Sequence, residues 1–440
     1  MKAKTTFLIL LFSIFSVVSG STYAQAPGPG GSYNSSFTIQ NLEDVSVRCV
    51  FSIYKDQSSP IYTSPEFNIS QNGSYFVYVG NLPIPNGQYS AAIACDGRVA
   101  AVSNFGASSG NAASYVGFDV SSVSSVLYFP VLMKNYYGYY SNIVVQNAGS
   151  MPENVTLEIY RSGVSDPILS IQSTNPITPN SSFVFDLRIV SGLADGLYFG
   201  RIVSQNGSPM AAISNWWNSG GQQGSYNAFN QGSLIWYAPL LMENYHGWNT
   251  SLTVQNIGSS PTVITVTYSI GVVLTRTISA NSGVLFYTPN DLPGSGPWLV
   301  SARVESQNQP IVAIINQAGP RNRAASYKGF RSGSLKVVAP IVLKSYYGFT
   351  SSVTCQNIGS SITDIKITYS NGFHETKNGI FPGLNALFYQ GNSQVLPPSF
   401  NGSAVVESLN EQPIVCVVGQ DKVGDQSQAD WALVYEGLPK

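Results

Sequence analysis

Pro239-Leu240-Leu241-Met242-Glu243-Asn244-Tyr245-His246-Gly247, continued by Gln255-Asn256-Ile257-Gly258-Ser259, decides the fold, because the chain writes this signature three times. It recurs from Pro130 through Tyr136-Tyr137-Gly138 to Gln146-Asn147-Ala148-Gly149-Ser150, and from Pro340 through Tyr346-Tyr347-Gly348 to Gln356-Asn357-Ile358-Gly359-Ser360. A fainter copy, Ser36-Phe37-Thr38-Ile39-Gln40-Asn41-Leu42, precedes them. The four Gln-Asn pairs are separated by steps of 106, 109 and 101 residues, the mark of tandem duplication.

The second half of the unit repeats as well. Ile202-Val203-Ser204-Gln205-Asn206, Val304-Glu305-Ser306-Gln307-Asn308 and Val406-Glu407-Ser408-Leu409-Asn410 are each followed by a proline and an apolar run. Each unit then closes on an aromatic segment, at Ser114-Tyr115, Ser225-Tyr226, Ser326-Tyr327 and, more divergently, Asp430-Trp431 to Tyr435. Within a unit, runs such as Val263 to Tyr268 and Asn154 to Tyr160 alternate apolar with polar at period two and are rich in β-branched and aromatic residues. Gly, Pro and Asn-Gly punctuate every 8–12 residues or so, the cue for an all-β sandwich. The fold class expected is all-β, with four tandem Ig-like antiparallel β-sandwich domains of about seven strands each. Boundaries fall at 27–125, 126–233, 234–334 and 335–440, behind a signal peptide at 1–26.

Lys2 and Lys4, the apolar run Phe7 to Val18, and Ala24-Gln25-Ala26 have the layout of a cleaved secretory leader. The apolar run is too short for a bilayer span, which needs roughly 20 residues. The expected location is therefore secreted or cell-surface. Only 10% of residues are charged and the formal net charge is −1, which supplies no basic field for nucleic acid and little colloidal repulsion between copies. Self-association or other surface proteins are the expected partners, with glycans as a further class. No nucleic acid, no cofactor and no metal are expected.

The 239–259 run resembles repeat-containing exported proteins of filamentous green non-sulfur bacteria. The likeness is good over the second to fourth units and weak over the first. It implies cell-surface or extracellular β-sandwich arrays and brings no catalytic residues with it.

The first unit departs from the pattern: Ala-Pro-Gly-Pro-Gly-Gly stands just upstream of Ser32, where the others carry their Pro-x-x-x-x-x-Tyr-x-Gly opening strand. Two readings stand, a dispensable edge strand lost or an edge that accepts a strand from a neighbour.

The four cysteines fall within units, Cys49 with Cys95 and Cys355 with Cys416. In an exported chain this suggests two intradomain disulfides, with buried free thiols as the alternative. His246 stands where the other copies have Tyr137 and Tyr347, and His374 follows Asn371-Gly372-Phe373 as a solvated turn residue. With two histidines at non-equivalent places, a Ser-His-Asp triad has no footing. Glu305 and Glu407 occupy equivalent places in different units, as solvent-face strand residues. No phosphate loop, dinucleotide fingerprint or calcium loop occurs. Gln-Asn-x-Gly-Ser reads as a turn at a strand end, with a repeated ligand site as the alternative.

Aromatics are the one lead towards binding. Tyr136, Tyr137, Tyr139 and Tyr140 cluster, echoed by Tyr245 and Trp248, and by Tyr346, Tyr347 and Phe349, while Trp216 and Trp217 belong to the second unit alone. They are candidate ligand or interface residues, or caps packed between successive units. The function expected is a non-catalytic structural component of a layer, sheath or filament, and the alternative is an adhesin or carbohydrate-binding array.

Overall fold

The computed structural model describes residues 9–12, 32–107, 110–427 and 429–440. The expected leader therefore lies outside the described residues except for Ile9–Phe12. The molecule is built of antiparallel sheets, two to each repeat.

The third repeat shows the plan. One sheet runs in the order Ile235–Glu243, Trp298–Ser306, Thr262–Tyr268, Val273–Ile278, and the other in the order Gly283–Tyr287, Asn249–Asn256, Ile311–Ala318, Ala324–Lys328. Period-two patterning does what the sequence predicts: along Thr262–Tyr268 every second residue, including Ile264 and Val266, is buried and the intervening ones are half-exposed. The second and fourth repeats share the order, and the fourth adds Leu438–Pro439 beside Lys336–Lys344. The second and third repeats thus have eight strands, and the first and fourth nine among the described residues, where about seven were expected.

The repeated proline of each opening strand has a structural cause. The pairing of Val126–Lys134 with Gly196–Ser204 shifts register between Phe129 and Leu132, and the same shift falls at Ala238/Leu241 and Ala339/Val342. Pro130, Pro239 and Pro340 sit inside these bulges, where a missing N–H costs the ladder nothing. Each bulge frees one N–H and one C=O, and the closing tyrosine of the same repeat binds both. The Tyr327 hydroxyl accepts from Leu240 N–H at 3.1 Å and donates to Leu240 C=O at 2.6 Å. Tyr226 does this at Val131 and Tyr435 at Ile341. All three rings are fully buried, and burial raises their phenols far above the ordinary tyrosine value. The closing tyrosine is a lock on the opening strand.

Gln-Asn-x-Gly-Ser is a turn, as read. The buried Asn256 side chain accepts from Gly258 N–H at 2.9 Å and donates to Ser260 C=O at 2.8 Å and Ser279 C=O at 3.1 Å. Asn41, Asn147 and Asn357 repeat the arrangement. His374 begins the His374–Ile380 strand and is exposed, so it stands just past the turn and not within it.

In the first repeat, Ser74–Tyr78, Tyr33–Asn41, Val99–Ala107 and Ala112–Val116 form one sheet. In the other, Ser90–Cys95 pairs with Val47–Tyr54, and its far edge pairs antiparallel with Ile9–Phe12. The opening-strand position is thus filled, by a segment of the expected leader.

Both disulfides form. Each joins residues directly opposite one another on adjacent strands, but in different sheets of their repeats. The chain divides into two compact units, Met1–Arg161 with Asp166–Gln231, and Ser162–Ser165 with Gly232–Lys440. In the first unit Ala112–Val116 neighbours Gln223–Asn227, and in the second Ala324–Lys328 neighbours Leu433–Glu436, so the closing strands of two repeats meet.

Candidate functional site

The aromatic clusters lie on two-residue hairpins. Tyr136 and Tyr139 exchange backbone hydrogen bonds of 3.0 and 2.9 Å around Tyr137 (φ 51°) and Gly138 (φ 82°), the signature of a type I′ turn. Tyr245-His246-Gly247-Trp248 and Tyr346-Tyr347-Gly348-Phe349 repeat it, with φ 51° at His246 and 47° at Tyr347. Such a turn favours Asn-Gly, and a bulky residue held left-handed is strained. The ring gains little burial in return: Tyr137 is 85% exposed and Tyr347 81%. Each projecting ring meets its neighbour edge-on at 4.7 Å, as Tyr136–Tyr137, Tyr245–His246 and Tyr346–Tyr347. His246 is thus a tyrosine stand-in in geometry as in sequence.

The remaining aromatics divide. Tyr139 is half-buried, edge-on to Trp216 at 5.7 Å, and Phe349 meets Trp431 at 6.2 Å. Tyr140 is half-buried and donates to Asn135 Oδ1 at 3.0 Å. Trp216 and Trp217 are corrected here: at 4% and 2% exposure they are core residues and no exposed platform. They occupy the strand positions that Gln317 and Ala318 hold in the third repeat, and Gly224 admits Trp216, since a Cβ there would come within 2.4 Å of the indole.

Within the second compact unit, Tyr245, His246 and Trp248 line a cavity of about 560 Å³ together with Leu299 of the third repeat and Tyr389 of the fourth. Gln317, Gln420 and Asp421 also reach it. The Nε2 atoms of both glutamines and Oδ1 of Asp421 are buried there without hydrogen-bond partners. Burial raises the Asp421 carboxyl although Arg323 opposes the shift. Aromatic walls with convergent polar atoms are what a sugar ring or a peptide turn meets in a binding site. Sequence reading pointed to Tyr245 and Trp248 but missed Gln317, Gln420 and Asp421, whose only signal was a pair of glutamines at equivalent repeat positions.

Buried and half-buried charge lies at the junction of the third and fourth repeats. Arg323 pairs with Asp421 at 2.7 Å and donates to Lys422 C=O at 2.9 Å. Asp430 accepts from Ala324 N–H at 3.0 Å, and Glu436 accepts from Lys328 N–H. Burial pushes the Lys328 ammonium down to about 8, against the pull of Glu436, and raises the Glu436 carboxyl. Glu305 pairs with Arg303 and Glu407 with Lys336 and Lys366, each inside its own repeat. Among the described residues no group of three or more His, Cys, Asp or Glu could hold a metal ion, and no helix is long and apolar enough to cross a membrane.

No family model matches the chain, and no curated protein matches it. Among solved structures, a Thermotoga maritima protein is similar at 21% identity, over 22% of this chain and 94% of its own, with a TM-score of 0.20. A variant of the major pilin of Streptococcus pyogenes is similar at 10% identity, over 68% of this chain and 98% of its own, with a TM-score of 0.14.

Proposed function

We propose that this chain is a non-catalytic structural component of an extracellular or cell-surface assembly. The observation that carries the reading is where the buried and half-buried charged groups of its third and fourth repeats go. Arg323, Asp421, Asp430, Lys328 and Glu436 fix one repeat to the next. Domains in one chain move relative to each other unless the interface is tight, and a spacing or framework element needs tight ones. Cross-strand disulfides suit an oxidising compartment, and a net charge of −1 leaves copies free to associate. The test is negative-stain microscopy of residues 27–440 beside the native cell surface. Ordered filaments or lattices support the reading; dispersed single particles at high concentration and a bare cell surface overturn it.

A second reading, an adhesin or carbohydrate-binding array, is favoured by the hairpin tips, where strain is accepted to hold Tyr137, His246 and Tyr347 in solvent. Glycan-array binding that is lost in the combined Tyr137→Ala, His246→Ala and Tyr347→Ala variant would favour it, and a blank array would remove it.

A further inference from the structure

The second, third and fourth repeats each open with a nine-residue strand of their own, Val126–Lys134, Ile235–Glu243 and Lys336–Lys344. That strand is part of the core: Leu127, Phe129 and Leu132 are fully buried. In the first repeat the place is taken by Ile9–Phe12, with Ile9 opposite Ile93 and Leu11 opposite Ala91. If residues 1–26 are removed as a leader, the Ser90–Cys95 strand loses its outer partner.

Three features of the first repeat are those of a site kept for a strand. Tyr115, buried, stands where Tyr226, Tyr327 and Tyr435 lock the opening strands of the other repeats. The edge strand is stapled to its inner neighbour by Cys49–Cys95, a bond no other repeat has in that sheet. The core beneath is apolar, with Ile93, Ala91 and Phe37 clustered with Val144, Ala211 and Ile213 of the second repeat. Ile9–Phe12 also lies against Val99–Ala107 of the facing sheet, as Val126–Lys134 lies against Met210–Asn218 in the second repeat.

The ladder geometry shows which atoms would bind. Cys49 and Cys95 are a closely spaced pair, with Cα atoms 4.2 Å apart, and Asp96 N–H donates to Arg48 C=O. Close pairs are the ones that exchange no backbone hydrogen bonds. Alternation then turns the N–H groups of Ala91 and Ile93 towards the outer edge.

We propose that this edge is an acceptor for an uncharged, apolar, extended segment of another polypeptide, added antiparallel as Ile9–Phe12 is. The proposal deepens the structural reading and rests on it, since it names the contact by which copies or partners would join.

The probe is a labelled synthetic peptide carrying Phe7 to Ser13 with terminal lysines for solubility, titrated into residues 27–440 and into the full chain. Saturable binding to the shortened chain, with a raised melting temperature, and none to the full chain is the expected result. N-methylation at Leu11, whose N–H faces Ala91, should weaken binding by about tenfold or more, while N-methylation at Phe12, which aligns with Pro130 of the second repeat and so with a position that needs no N–H, should change it little. If residues 27–440 do not fold alone, the full chain is folded first and cut at a protease site placed after Ala26. The labelled peptide should then exchange for the native strand. Absence of binding and exchange, or equal binding of both N-methyl peptides, overturns the proposal. Filaments that form but ignore the peptide also sink the acceptor while leaving the structural reading standing. Peptide binding without any filament or lattice keeps the acceptor and removes the structural reading. Filaments that the peptide blocks identify the occupant as a second copy.

Discussion

Cys95 lies directly across the ladder from Cys49, with Cα atoms 4.2 Å apart, on the strand that forms the first repeat's outer edge once Ile9–Phe12 is gone. Cys355 and Cys416 stand in the same relation at 4.0 Å, in the fourth repeat's other sheet. The bonds close chain separations of 46 and 61 residues, so each should stabilise its repeat by about 2–4 kcal/mol. Replacing Cys49 and Cys95 together by Ala should lower the denaturant midpoint of the first repeat, and reduction of that variant should then move only the transition of the fourth.

Tyr327→Phe removes the hydroxyl that serves both backbone groups of the bulge at Leu240. An unpaired buried donor and acceptor cost about 1–3 kcal/mol each. The variant should lose at least about 1 kcal/mol in chemical denaturation, and amide exchange at Leu240 should quicken. An unchanged midpoint would mean that the ring's packing alone holds the strand.

Tyr137→Asn relieves a left-handed tyrosine in a turn that favours Asn-Gly, a gain of about 1 kcal/mol. Against it stands the loss of one exposed edge-on contact with Tyr136, worth about 0.5 kcal/mol at such a site. Thermal denaturation should show unchanged or slightly raised stability. A clear loss would make the ring a packing residue and weaken the binding interpretation of the tips.

The lowered pKa of Lys328 has a definite sign. Its folded value, about 8, lies below the ordinary 10.5, because burial penalises the ammonium. Between those values the unfolded chain carries a proton that the folded chain has released, so this group makes stability rise with pH across that window. Relative to Lys328→Met, the native chain should gain at most about 3 kcal/mol from pH 8 to 10.5. Melting both proteins across that range checks it, and parallel curves would show that Lys328 stays charged and paired with Glu436.

The repeat period, the all-β class and the pairing of cysteines within units were legible because they are properties of neighbours along the chain. Period-two alternation marks a half-buried strand wherever it folds, and Asn-x-Gly supplies its own turn dihedrals. The Gln-Asn-x-Gly-Ser turn could be read at Asn256 for that reason: two of its bonds reach residues no more than four positions away.

Other features depend on what sheet topology brings together. Tyr226 meets Val131 across 95 residues, and Arg323 meets Asp421 across 98. Trp216 and Trp217 looked like an exposed platform because an aromatic pair reads the same whether a glycine opposite admits it to the core or solvent does. Composition could show that the first repeat lacked its own opening strand. Only the tertiary structure, by placing Ile9–Phe12 along Ser90–Cys95, decided which edge of the first repeat takes that strand, since a strand's partner is chosen by the edge that needs its hydrogen bonds.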